Sequence, residues 1–223
     1  MLTNIDRNDE NRFVENQGPN KGWNYPDALF VGKGGMTITE YKTMFALWCA
    51  VKSPLMLGSD LRNMTLEDEA YKVTFFDFTR FFLDLTKNVS LQIITNTALL
   101  KVNQDPLGIQ ATCRKNCCSK GHFGGLYPVI TCAGFQNSWQ IWSGPLQNND
   151  FVVVVINRYN HDIKLEFDWE IDAQIPKGVY KIQDLWTQKI LGVVNTSKQN
   201  LFQSKLGFHD NLAFRLQFVQ RVP

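Results

Sequence analysis

Between residues 37 and 51 the apolar positions Tyr41, Met44, Phe45, Trp48 and Val51 recur at the i, i+3, i+4, i+7 spacing of one helix face. Thr37 and Glu40 stand just ahead of them as a Ser/Thr-x-x-Glu capping box, which satisfies two otherwise free N–H groups at a helix start. Pro54 ends the element, since proline has no N–H to continue the ladder. On one side "GWNY" (22–25) reads as a strand: Pro26 biases Tyr25 towards an extended conformation and leaves Asp27 just past the C-terminal end. On the other side "LMLGSD" (55–60) reads as a buried strand, and Thr65 with Asp68 opens another helix in "LEDEAYK".

From about Cys113 the period changes to two. "SWQIWSGPL", "FVVVVINRY", "IKLEFDWEI", "GVYKIQDLW", "KILGVVN" and "LAFRLQFV" are rich in β-branched and aromatic residues and are separated by polar turns such as "QNND", "RYNHD" and "IPKG". Short strands with no helix between them imply an antiparallel β-sandwich of roughly a hundred residues. The Pro and Gly of "NQDPLG" (103–108) mark the link, which divides the chain into a β/α part, 1–110, and an all-β part, 111–223. The first part holds too few units to close a parallel sheet, because a (β/α)8 barrel takes about 250 residues. Its Phe45, Trp48, Leu55 and Leu57 are therefore expected to lack cover, while the sandwich closes its own core.

Composition narrows the partners. The 223 residues are 44% hydrophobic and 13% aromatic, as in an ordinary globular core. The 23 basic and 21 acidic side chains are scattered, with no basic stripe for nucleic acid. No apolar run approaches the ~20 residues of a membrane span. "MLTNIDRNDENRF" has no apolar h-region, so no signal peptide is read here. Cysteine usage points the other way: Cys113, Cys117, Cys118 and Cys132 crowd together, which favours disulfides, in any of three pairings, and an oxidising compartment. Their spacing does not fit a zinc knuckle, and neither metal nor cofactor is expected. Sequons at Asn63, Asn88 and Asn195 agree with secretion.

"GWNYPDALFVGKGGMTITEYKTMFALWCAVKSPLMLGSDLRNMT" followed by "VNQDPLG" resembles the end of the catalytic barrel of family 27 glycoside hydrolases, the melibiase-type α-galactosidases and their α-N-acetylgalactosaminidase and β-L-arabinopyranosidase relatives. The family pattern is W-N-D-P-D-M-L, G-N-G-G-M-T, F-x-L-W-x-x-x-x-(S/A)-P-L, D-(L/V)-R and N-Q-D-P-L-G, and the match runs over about residues 15–110. The resemblance implies the last strand–helix units of a (β/α)8 barrel followed by an antiparallel sandwich. It also implies a retaining glycosidase acting on terminal galactosides, extracellular or lysosomal/vacuolar in its full-length form. The two catalytic aspartates of the family lie on earlier barrel strands, and neither motif occurs here. Asp6 and Asp9 match the helix after strand six and are not promoted to catalysis. The chain is thus expected to be inactive alone.

By the same resemblance Asp27 matches the aspartate that lines the galactose site, with Trp23 and Ala28 beside it. Trp23 and Asn24 are expected to orient the loop, although a tryptophan at a strand is more often core. Tyr25, Ala28 and Lys33 depart from the family's aspartate, methionine and asparagine. The missing methionine implies a larger cavity near the sugar. Asp60 ends a barrel strand, but in "SDLRNMT" it reads as a helix cap. Cys49 reads as a buried thiol; His122, His161 and His209 as isolated turn residues; Asp168 and Glu170 as one solvated face. A second reading of function is a non-catalytic carbohydrate-binding or interaction module on the sandwich, with Trp139, Trp142 or Trp186 stacking on sugars, against the alternative that these rings are core.

"VTFFDFTRFFLDLTKNVSLQ" (73–92) has no counterpart in the family, and removing it joins "EDEAYK" to "IITNTALLKVNQDPLG" in register. Phe75, Phe78, Phe82, Leu85 and Val89 would stripe a genuine inserted helix. Valine codons begin GT and glutamine codons can end AG, the borders of an intron, and a retained intron is the favoured reading.

Overall fold

The computed structural model describes residues 2–9, 17–59, 89–117, 119–123, 127–131, 138–198 and 201–222. Among them the helices are α1 (Leu2–Asn8), α2 (Ile38–Ala50), α3 (Val89–Ile94) and α4 (Thr97–Asn103). The strands follow: β1 (Thr112–Lys115), β2 (Ser119–Phe123), β3 (Tyr127–Thr131), β4 (Trp139–Pro145), β5 (Phe151–Asn157), β6 (Ile163–Asp168), β7 (Val179–Asp184), β8 (Ile190–Asn195), β9 (Leu201–Leu206) and β10 (Asn211–Gln220). Six make one sheet in the order β1-β4-β5-β10-β7-β8, and β2–β3 and β6–β9 make two more. Every pairing between these strands is antiparallel. No helix among the described residues is long and apolar enough to cross a membrane.

Helix α2 starts where its capping box places it. The Thr37 N–H donates to Glu40 Oε2 at 2.8 Å, and the Glu40 N–H donates to Thr37 Oγ1 at 3.3 Å. The helix stops at Val51, and Lys52 then turns into the left-handed region at φ 58° ahead of Pro54. Burial pulls the Lys52 ammonium down to a pKa of about 8, with Asp105 opposing. Around α2 lies a βαβ unit: Leu29 and Leu57 form a parallel bridge, with Leu29 N–H to Met56 O at 2.8 Å and Gly58 N–H to Leu29 O at 2.7 Å. Here the ladder contact falls at Leu29, after Asp27, whereas residues 23–28 form no strand. Pro26 has no N–H to donate, so the pairing begins beyond it.

At its centre, on β5, the large sheet is buried on both faces. On β5, Val152, Val154 and Ile156 pack with α2 and α4, whereas Val153 and Val155 pack with Leu165, Phe167 and Trp169 in the other layer. That is why "FVVVVI" is continuous rather than alternating. α2 lies across β4, β5 and β10, and Phe45 and Trp48 are 1% and 0% exposed. The expectation that these side chains lack cover is therefore corrected: the sandwich together with α3 and α4 supplies it. Each such burial is worth about 1.5–3 kcal/mol. Of the four, Leu55 is half-buried and Leu57 exposed.

The six strands expected from the period of two are present. β1, β2, β3 and β9 were not foreseen: "TCRK" is short and mostly polar, "SKGHF" holds a glycine, "YPVIT" holds a proline, and "LFQSKL" carries three polar residues in six. The proposed helix from Thr65, Asp60, and residues 73–88 of the insertion lie outside the described residues; Val89–Gln92 begin α3.

Candidate functional site

Asp27 sits on the loop that enters the parallel bridge. Trp48 Nε1 donates to its backbone carbonyl at 2.8 Å, fixing the loop to the buried face of α2. Its carboxylate takes the Ala28 N–H on Oδ1 at 2.7 Å and Asn4 Nδ2 on Oδ2 at 3.3 Å, and the side chain is half-buried. Further lone pairs on both oxygens can accept from sugar hydroxyls. Beside Asn4 and Pro26 opens a cleft of about 240 Å³, lined by Asn4, Arg7, Asn8, Asn24, Tyr25 and Pro26. Its polar groups are mostly amides, and Arg7 is the one cation among those lining residues.

An amide network holds the cleft's floor. Gln110 Oε1 accepts from Asn8 Nδ2 at 3.1 Å and from Asn24 Nδ2 at 3.2 Å, and Gln110 Nε2 donates to Asn8 O at 3.2 Å. Asn24 Nδ2 also donates to Gln17 Oε1 at 2.9 Å. Asn24 thus anchors the loop to Gln17 and Gln110. Trp23 is 44% exposed and is not core. Its ring edge lies 3.0 Å from where a Cβ on Gly108 would stand, so the glycine (φ +65°) permits the close approach. Ala28 lies across from Gly58, whose Cβ would meet the Ala28 methyl at 3.1 Å.

The aspartates left out of catalysis have structural partners. Asp6 is buried against Arg158, with Nη1 at 2.9 and 3.1 Å from its two oxygens and Nη2 at 3.1 Å from Oδ2. Burial pushes its carboxyl up, and the guanidinium opposes the shift. Asp9 Oδ1 accepts the Cys113 N–H at 3.0 Å. Both contacts tie the N-terminal segment to the sandwich.

The other sequence candidates resolve individually. Cys113 and Cys117 form a disulfide, whereas Cys118, Cys132, Asn63 and Asn88 lie outside the described residues. Cys49 is a free, buried thiol, and burial pushes its pKa far up. Among the described residues no group of three or more His, Cys, Asp or Glu side chains could hold a metal ion.

Asp168 and Glu170 do not share a solvated face: β6 ends at Asp168, which is buried and caps the following turn by accepting the Glu170 and Ile171 N–H groups at 2.8 and 3.0 Å. His122 lies in β2 rather than on a turn. His209 is not isolated, since its Nδ1 meets Glu40 Oε1 at 2.8 Å. Trp142 is wholly buried; Trp186 is half-buried and donates to Asn211 Oδ1 at 2.8 Å. Trp139 is half-buried under the Lys115 ammonium, 5.1 Å from its ring centre.

Comparison with known proteins gives two family matches in the same order as the two architectures. Residues 2–74 match the model described as "Alpha galactosidase A" and residues 136–216 the model described as "Alpha galactosidase C-terminal beta sandwich domain". The chain belongs to glycoside hydrolase family 27. It is the C-terminal portion: the last strand–helix part of a barrel followed by an antiparallel sandwich. Alpha-galactosidase 3 of Arabidopsis thaliana is 32% identical over 189 residues, 85% of this chain and 34% of that protein. The alpha-galactosidase of Oryza sativa subsp. japonica is 31% identical over 186 residues, 83% of this chain and 34% of its own. The chain therefore spans about a third of the length of these relatives.

Among solved structures, alpha-galactosidase I of Mortierella vinacea superposes with a TM-score of 0.63 at 25% identity, covering 92% of this chain and 42% of that one. The Saccharomyces cerevisiae alpha-galactosidase solved with raffinose gives a TM-score of 0.71 at 19% identity, covering 98% and 51%. In this family 27 chain, Gln110 and Arg158 are the positions that sequence reading missed. Each is a single polar residue with a partner more than a hundred positions away, Asn8 for Gln110 and Asp6 for Arg158.

Proposed function

We propose that this chain is the sugar-pocket wall and supporting sandwich of a retaining α-galactosidase-type hydrolase acting on terminal galactosides of oligosaccharides or glycoconjugates. The observation that carries the reading is Asp27: a half-buried carboxylate with acceptor capacity to spare, its loop pinned by Trp48, beside an amide-lined cleft. There a carboxylate can bind sugar hydroxyls and add negative potential at an oxocarbenium-like transition state. Trp23 and Ala28 contribute the neighbouring surface. The nucleophile and acid/base of a retaining pair stand about 5–5.5 Å apart across the scissile bond; neither is assigned to a residue of this chain, so alone it does not hydrolyse galactosides. The barrel part is 1–110 and the sandwich 111–223. The disulfide Cys113–Cys117 supports an extracellular or vacuolar setting.

Galactose titrated at millimolar concentration into the isotopically labelled chain tests the pocket. The expected result is resonance shifts at Asn24, Asp27 and Ala28 that vanish in Asp27→Ala. Shifts confined to the sandwich would overturn the assignment.

A further inference from the structure

Strand β8 is an outer strand of the large sheet, hydrogen-bonded to β7. Val194, opposite Tyr180, is its buried residue, facing the β6–β9 layer. Val193 and Asn195 pair with Lys181 and Val179, so they share the other face, and Ile190, opposite Gln183, joins them across a bulge. Ile190, Leu191 and Val193 are 53%, 52% and 62% exposed. α2 covers this side of the sheet over β4, β5 and β10. An open apolar edge is a template for pairing with another chain, which proteins blunt with charge, proline or a cover. β8 itself has neither a charge nor a proline.

The strand runs into Asn195-Thr196-Ser197, an N-x-Ser/Thr sequon. Asn195 Oδ1 accepts the Ser197 N–H at 3.0 Å, and Thr196 Oγ1 donates to Pro176 O at 2.8 Å and accepts from Gly178 N–H at 3.0 Å. The Ser197 hydroxyl is the exception: it is buried and has no hydrogen-bond partner among the described residues. Leaving a buried hydroxyl unpaired costs about 1–3 kcal/mol. The fold makes no use of the one group that a sequon requires at its third position.

We infer that Asn195 carries an N-linked glycan whose first sugars lie over Val193 and Ile190 and close the β8 edge; this rests on the secretory setting proposed above. The donor is an oligosaccharide on a polyprenyl diphosphate. Asn195 Nδ2 bonds to the anomeric carbon of its first N-acetylglucosamine, the bond from that carbon to the diphosphate oxygen breaks, and the amide proton leaves with the lipid diphosphate.

The full 223-residue chain, expressed behind a secretory leader in a eukaryotic host, tests this independently of where the natural protein travels. The expected result is a peptide carrying Asn195 whose added mass is removed by peptide N-glycosidase, and loss of that mass in Ser197→Ala. Because Ser197 Oγ has no partner, this variant keeps the fold, and its soluble monomer falls several-fold. Val193→Lys added to Ser197→Ala restores the monomer. An unmodified Asn195 overturns the proposal. So does a Ser197→Ala chain as soluble as the glycosylated one, or a discrete dimer of unglycosylated chains joined through β8. Absence of the Cys113–Cys117 disulfide in the natural protein would count against the compartment alone.

Discussion

Trp48 and Asp27 stand twenty-one residues apart in sequence, and the indole N–H of the first holds the backbone carbonyl of the second at 2.8 Å. Trp48 is wholly buried in the core shared by α2 and the large sheet. The position of the pocket loop is therefore set by the packing of a helix on the sandwich. Trp48→Phe keeps an aromatic ring but orphans the carbonyl, an expected loss of about 1–3 kcal/mol in unfolding free energy. Galactose-induced shifts at Asp27 should weaken in parallel. Denaturant unfolding checks the first and titration the second; an unchanged protein would show that the bond does not position the loop.

Asp6 and Arg158 make a second, buried tie between the N-terminal helix and the sandwich. Removing one partner leaves a charge without compensation, so Arg158→Met should cost about 3–5 kcal/mol. Asp6→Leu with Arg158→Met should recover most of it, since apolar replacement of a buried pair is often near neutral. The deficit of the single variant shrinks as pH falls, because burial already pushes Asp6 up and its protonated form needs no guanidinium. Urea unfolding at two pH values reads both effects.

Glu40 joins the capping box of α2 to His209 on the β9–β10 turn. Burial alone would raise its carboxyl, but hydrogen bonds from the Thr37 N–H, His209 and the Thr37 hydroxyl outweigh it and hold the pKa below its ordinary 4.5. A depressed carboxyl contributes stability that is present above the unfolded pKa and lost as pH falls through the folded one. Glu40→Gln should therefore lower the melting temperature at pH 7, and the difference should shrink as pH falls through the depressed folded pKa. The loss at neutral pH is about 0.5–1 kcal/mol, because the pair is partly exposed. An equal deficit at all pH values would mean that the carboxylate charge is not what stabilises the cap.

Local signals in the sequence were read correctly where chemistry is local. Thr37 and Glu40 three apart, Pro54 beyond the helix, and β-branched runs from Trp139 to Phe218 each specify an element without reference to the rest of the chain. The motif resemblance placed the chain in its family. What was not legible depends on distant partners. Gln110 sits in an unremarkable linker, yet it bonds Asn8 and Asn24, 102 and 86 residues away. The cover over Phe45 and Trp48 comes from β4, β5 and β10 with α3 and α4, and the continuous valines of β5 signal a strand buried on both sides without saying by what. Asp168, expected in solvent, is buried because β6 ends on it and the turn that follows needs its oxygen.

The central claim is that this chain holds a wall of a galactoside pocket and not the chemical machinery. Incubating the purified 223-residue chain with an aryl α-galactoside tests it most directly, beside a full-length family 27 α-galactosidase as reference. The account predicts no release of the aryl alcohol above the uncatalysed rate. Turnover comparable to that of the reference would contradict it.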